Sequence, residues 1–285
     1  MRVASLGEIL WDLIGGRELL GGATFNFSVQ LSRLGHDVSF ISAVGDDERG
    51  RRVLDRAEQL GLSTKFVRVV NDAPTGTVSV YLDSEGQPSY VLHRPAAYDF
   101  ATLPEEPLHP DWLYHGTLHF MAPHIYGLRH AYHVDPEARR FYDINLRRDS
   151  FTAPLVMELL QLADVVKLND GELVQVQQMA GTSHASIEAF CRDYSSRFQW
   201  EAVCVTQGER GCAVLKGGEY VEVPGVPVKV ADAVGAGDAF AAAFLHGLDQ
   251  NWTAERIGSF ANRLGAIVAS RPGGVPEWSW SELEK

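Results

Sequence analysis

Cysteine is scarce in this chain of 285 residues: Cys191, Cys204 and Cys212 are the three it has. An odd number without C-x-x-C spacing excludes a disulfide framework and gives no zinc signature, so a reducing compartment is expected. Clusters of basic residues are missing as well. The formal net charge is -12, and no run of Lys and Arg is present to neutralise a phosphate backbone, which excludes nucleic acid as a partner. No stretch approaches the ~18 apolar residues of a membrane span. The opening MRVASLGEIL has neither the basic start nor the long apolar core of a secretory leader. A soluble, cytoplasmic protein without a membrane partner is therefore expected. Internal repeats, low-complexity tracts and a Pro/Gly-rich linker are likewise absent from the sequence.

What is present is ordinary globular material, 45% hydrophobic and 22% charged, long enough for one large α/β unit with a buried core. Strand-like and helix-like segments alternate. Val3 to Leu6 and Asp37 to Val44 have strand character, whereas Phe25 to Leu34, ending at Gly35, and Arg49 to Gln59 have helical spacing. Trp112 to His115, Arg140 to Asp143, Asp164 to Leu168 and Ala202 to Thr206 are short apolar runs with polar carboxyl ends, the pattern of doubly buried parallel strands that present ligands at those ends. Two segments break this rhythm. Trp11 to Leu20 is one. The other alternates from Thr77 to Leu82, turns at Ser84-Glu85-Gly86 and resumes at Pro88 to Leu92, a hairpin signature. The reading is an α/β fold, a doubly wound, mainly parallel sheet flanked by helices. It is taken as a single domain over 1–285, with a small β-sheet lid formed from about 11–22 and 75–98.

The most informative stretch is Asp232-Ala233-Val234-Gly235-Ala236-Gly237-Asp238-Ala239-Phe240. Small residues give way abruptly to a strong helix former, so Gly235 to Asp238 forms a tight turn at a helix N-terminus. Such an end carries roughly half a positive charge and suits the oxygens of a phosphoryl group. Asp238 in the same turn is placed to accept a proton from a hydroxyl nucleophile. Alone, this tetrad is equally a turn with an N-capping Asp. It is neither a Rossmann fingerprint nor a Walker A loop.

Taken with Gly21-Gly22-Ala23-Thr24-Phe25-Asn26, this stretch makes the sequence resemble the PfkB family of ribokinase-like carbohydrate kinases, most closely its fructokinase-type members. The resemblance covers nearly the whole chain. It implies Asp238 as the base, with Gly235, Ala236 and Gly237 forming the anion hole. Asp12, Gly21, Gly22, Asn26 and Arg147, the last in Asp143-Ile144-Asn145-Leu146-Arg147, are implied as sugar-binding residues. Asn169 and Glu172 match the family's Asn-x-x-Glu motif, which by resemblance governs Mg²⁺ and phosphate, Glu172 acting through water; the same pair also reads as a helix capping box. Thr206, Gly208 and Gly211 resemble the nucleotide-binding turn, and Asn262 matches a position near the adenine. Asp232 and Val234 fall where some relatives hold K⁺. The sequence departs from many relatives in having no Thr at Ala233 or Val234, and no second Glu where Asp170-Gly171 stands.

The resemblance thus implies a kinase that uses ATP and Mg²⁺, with fructose to fructose 6-phosphate as the leading reaction. Alternatives are 2-keto-3-deoxygluconate kinase, because Arg147 would face a carboxylate, and ribokinase; a non-catalytic sugar-binding regulator is the reading from another class. In so acidic a chain, phosphates must be met by Mg²⁺, backbone N–H groups and a few placed cations rather than by a positive global field. A homodimer through the β-lid is a further expectation.

Overall fold

The computed structural model describes residues 1–82, 88–121, 135–147 and 149–284. Strands β1 (Arg2–Leu6), β4 (Asp37–Gly45), β5 (Val67–Val70), β8 (Trp112–His115), β9 (Arg139–Asp143), β10 (Val165–Asn169), β11 (Ala202–Thr206), β12 (Gly211–Lys216) and β13 (Glu219–Pro224) form one nine-stranded sheet, ordered β13-β12-β11-β10-β9-β8-β1-β4-β5. Pairing is parallel from β11 through to β5; β12 and β13 close the other edge antiparallel.

Both faces of this sheet are covered, and the alternation of side chains along each strand says how. Val3, Tyr114, Phe141, Val165 and Cys204 point to one face. It is packed by α1 (Ala23–Arg33), α2 (Glu48–Gln59), α6 (Ala236–Asp249) and α7 (Ala254–Ala269), with the short α8 (Trp280–Leu283). Their neighbours Ala4, Leu113, Tyr142, Val166 and Val203 point the other way, against α3 (Ala153–Leu162), α4 (Asp170–Ala180) and α5 (Ile187–Phe198). Strands buried on both faces become near-continuous apolar runs, which is why they could be located from sequence. Cys191, Cys204 and Cys212 are buried and free.

Beyond β1 the chain builds outward to β4 and β5, then returns to β8 on the other flank of β1 before running on to β11. Order therefore reverses between β1 and β8, and the crevice outside the carboxyl ends of strands at such a point is where ligands bind. Over that crevice stands a second sheet, made of β2 (Leu10–Ile14), β3 (Arg17–Gly21), β6 (Gly76–Leu82) and β7 (Pro88–His93) in the order β3-β2-β6-β7. The β6–β7 pair is the antiparallel hairpin expected, registered Leu82 to Pro88; the turn at Ser84-Glu85-Gly86 lies outside the described residues. Among the described residues no helix is long and apolar enough to cross a membrane.

Candidate active site

A cleft of about 690 Å³ lies between the small sheet and the carboxyl ends of the central strands. Its construction begins at α1. That helix has no side-chain cap of its own: the N-cap is Gly22, at φ 114°, where a Cβ would stand 2.6 Å from the Glu8 carbonyl oxygen. Glu8, buried after β1, supplies the missing acceptors. Its Oε1 accepts from the Ala23 N–H at 2.8 Å and its Oε2 from the Thr24 hydroxyl at 3.2 Å. One orphan helix donor, the Ala23 N–H, is thereby satisfied from a distance, and α1 is fixed against the strand end. One turn further on, Asn26 Nδ2 donates to Asp238 Oδ2 at 2.8 Å, while Asn26 Oδ1 finds no donor among the described residues.

Asp238 comes from the first turn of α6. Gly235 is the N-cap at φ 78°, and a Cβ there would stand 2.3 Å from the Gly274 carbonyl oxygen, so only glycine fits. Asp232 pins the crossing of these two loops, with Oδ1 accepting from the Val234 N–H and Oδ2 from the Gly273 N–H, each at 3.0 Å. The Ala236 N–H donates to the Ala233 carbonyl at 3.3 Å, whereas no acceptor is present among the described residues for those of Gly235, Gly237 and Asp238. Of the three amides of the Gly235 to Gly237 turn, the middle one is thus spent within the loop. The Asp238 amide takes its place beside the cleft, where Gly235, Gly237 and Asp238 all stand.

Beneath this turn lies an ion pair. Lys167 Nζ donates to both oxygens of Asp143, at 2.8 and 3.1 Å, and the Tyr114 hydroxyl donates to Asp143 Oδ2 at 3.1 Å. Tyr114 is held in turn by the ring of Phe27 from α1. Asp12, Asn145 and Arg147 also line the cavity, along with Leu10, Val78 and Leu92.

Burial dominates the electrostatics. It pushes Asp238 up to about 7; the Asn26 amide, Lys167 and Arg147 pull the value down, and Asp143 adds to the rise. Asp12 is pushed up to about 6 by burial, with Arg147 opposing and Asp232 and Glu8 reinforcing. Glu8 and Glu172 are raised for the same first reason. Burial works against the Lys167 ammonium, but Asp143, Glu172 and Asp238 more than offset it, so its value is raised overall.

The sequence candidates are distributed unevenly over this geometry. Asp12, Gly22, Asn26, Arg147, Asn169, Glu172, Thr206, Asp232, Val234, Gly235, Gly237 and Asp238 all line the cleft. Gly21 stands behind it, where a Cβ would come within 2.7 Å of Asp12 Oδ2. The capping-box reading of Asn169 and Glu172 is realised: Asn169 Oδ1 accepts from the Glu172 N–H, and Glu172 Oε2 from the Asn169 N–H, both at 2.8 Å. Glu172 Oε1 accepts from the Leu146 N–H at 2.8 Å, so this carboxylate is engaged by backbone on both oxygens. Gly208, Gly211 and Asn262 are not among the cleft-lining residues. The Asn262 side chain donates to the carbonyls of Val223 and Pro224 at 3.2 and 3.1 Å, clasping the end of β13, and a Cβ on Gly211 would stand 2.1 Å from the Val223 carbonyl oxygen.

Sequence reasoning gave no role to Lys167, Asp143, Tyr114 or Glu8. A signal for the first was present, since a lysine inside an apolar strand must have a partner where it is buried.

A strained glycine cap, amides without acceptors among the described residues and a carboxylate beside them are the groups that a phosphoryl transfer calls for. A model of the pfkB family of carbohydrate kinases matches residues 15–280. The fructokinase of Klebsiella pneumoniae is 31% identical over 294 residues, which cover 95% of this chain and 94% of that protein. The fructokinase of Escherichia coli is 30% identical over 296 residues, covering 96% and 95%. A solved structure of a double mutant of Vibrio cholerae fructokinase, in its fructose, ADP and potassium ion bound form, matches at a TM-score of 0.86 and 28% identity, covering 99% of this chain and 97% of that one. The chain belongs to the pfkB family of carbohydrate kinases. It is a sugar phosphotransferase, and its fold is ribokinase-like.

Proposed function

We propose that this kinase transfers the γ-phosphoryl group of ATP to a primary hydroxyl of a neutral sugar, most plainly fructose to fructose 6-phosphate. The observation that carries the reading is Asp238, a carboxylate pushed up to about 7 in the same helical turn as amides that have no acceptor among the described residues. A base whose value matches the operating pH takes up a proton efficiently. The hydroxyl oxygen attacks the γ-phosphorus, the bond to the β–γ bridging oxygen breaks, ADP leaves with that electron pair, and the hydroxyl proton passes to Asp238. Positioning and amide donation then supply most of the acceleration.

Asp12 and Arg147 are read as sugar contacts, and Asn26 as the group that aims Asp238. The field around Arg147 favours a neutral substrate over a sugar acid. Glu8, Asp12 and Asp238 all feel its charge, so the guanidinium already has carboxylates to balance. The apolar wall of Leu10, Val78 and Leu92 suits the C–H face of a polyol. The fructose named with the Vibrio cholerae relative points the same way.

Magnesium fits this site as an ion that arrives with the nucleotide. Among the described residues no three His, Cys, Asp or Glu side chains converge on a cage, and magnesium ordinarily keeps several waters and touches few carboxylates. When bound it neutralises phosphate charge. Asn169, Thr206 and Glu172 are the residues read as facing the nucleotide, and the Asp232 loop is read as the place of a monovalent cation. A cytoplasmic enzyme is proposed, as is a homodimer joined through the exposed face of the small sheet, where Tyr81 and Val91 are 58% and 47% accessible. The direct test is ATP consumption over a panel of ketoses, aldoses, sugar acids and nucleosides. Preference for fructose supports the reading; preference for a sugar acid, or sugar-induced stabilisation without turnover, refutes it.

A further inference from the structure

Lys167 is a costly residue to keep where it stands. It lies on a central strand, side by side with Asp143 on β9, and its side chain is 9% accessible. Replacing a buried ion pair by well-packed apolar residues is commonly neutral or stabilising, so the pair is weak evidence for a role in stability. Two of the three ammonium N–H groups have acceptors, the two oxygens of Asp143. The third has no protein acceptor among the described residues. Nζ stands 3.6 Å from the point a Cβ on Gly237 would occupy, beside the free amides of the α6 turn, and Lys167 lines the cleft.

The charge inventory sharpens the point. Glu8, Asp12, Glu172, Asp232 and Asp238 line the cleft, and the cations that line it are Arg147 and Lys167. Both cations act on Asp238 in the α6 turn, and Arg147 acts on Glu8 and Asp12 as well. Lys167 is the one whose ammonium stands against the turn itself, at Gly237. A buried, permanently charged group placed beside amide donors, where negative charge gathers, is the arrangement that stabilises phosphoryl transfer.

We infer that Lys167 is a catalytic residue whose third N–H donates to a non-bridging oxygen of the phosphoryl group in transfer, held in place by Asp143 and Tyr114. This rests on the phosphotransfer reading of the α6 turn. Lys167 keeps its proton throughout. The bond made is from sugar oxygen to γ-phosphorus and the bond broken is to the bridging oxygen. The only proton moved goes to Asp238.

The test uses the full chain and three variants: Lys167→Met, Lys167→Arg, and the paired Lys167→Met with Asp143→Asn, which removes both charges of the ion pair in case the single change fails to fold. One measurement is binding of a non-hydrolysable ATP analogue against ADP. Loss of a charge-assisted hydrogen bond to the γ-phosphate is expected to weaken the analogue by roughly tenfold or more while ADP changes little. The other is steady-state kinetics, in which kcat should fall about 10²-fold or more with the sugar KM nearly unchanged, and Arg should restore part of the loss. A cooperatively folded Lys167→Met, or paired variant, that discriminates analogue from ADP as the wild type does would overturn the inference. Because binding is read without turnover, a wild type that phosphorylates no sugar would sink the proposed reaction while leaving the Lys167 result to be judged separately.

Discussion

The hydrogen bond from Asn26 to Asp238 makes a quantitative prediction about pH. With Asp238 pushed up to about 7 by burial, kcat/KM for the sugar should be flat above neutrality and fall about tenfold per unit below it, because the base works only when deprotonated. Asn26 donates to that charged form at 2.8 Å. A hydrogen bond to a charged group contributes about 1.5–3 kcal/mol, and one pKa unit is about 1.4 kcal/mol. Asn26→Ala should therefore move the acid limb upward by about one to two units. The assay is coupled ADP release at limiting sugar, from about two units below neutrality to about two above. A limb that stays put in Asn26→Ala, or one that lies near the ordinary carboxylate range in the wild type, would refute the argument that burial sets this base and Asn26 tempers it.

The same shift has a consequence for stability. A carboxyl raised from 3.8 to about 7 in the folded state contributes stability that is complete below the unfolded value and is lost as pH rises through the folded one. Asp238→Asn should thus melt a few degrees above the wild type at about pH 8, with the difference vanishing toward about pH 4, as scanning calorimetry would read. Gly235→Ala should cost about 1–2 kcal/mol from its left-handed backbone alone, with further loss from the contact with Gly274, visible in urea melts and as lost turnover. Asp12→Ala should raise the sugar KM by roughly tenfold to a hundredfold, the worth of a hydrogen bond to a charged acceptor, while ATP binding persists. Glu172→Gln turns one acceptor into a donor opposite a backbone N–H, and denaturant unfolding should register a loss of about 1–3 kcal/mol.

Elements that close locally were legible. The central strands announced themselves as apolar runs because both of their faces are buried, and the Gly235 to Asp238 turn because small residues meet a helix former. The β6–β7 hairpin showed through its alternation. What could not be read were partnerships across long stretches of chain. Glu8 caps α1 across 15 residues, and Asn26 reaches Asp238 across 212; neither leaves a local pattern. Lys167 and Asp143 are strand neighbours in register, which becomes visible only when the sheet order is known. Asn262 illustrates the converse. The family resemblance placed it near an adenine, and the structure ties its amide to the carbonyls that end β13. Glu172 is similar, its carboxylate being engaged by the backbone of two segments.

The central claim is that Asp238 takes the proton of a sugar hydroxyl beside the amides of the α6 turn. Initial rates of fructose phosphorylation by wild type and Asp238→Asn, with ATP affinity measured on both, test it most directly. The account predicts turnover lower by about 10²–10⁴-fold with ATP affinity nearly unchanged. Turnover at the wild-type rate in the Asn variant would contradict it.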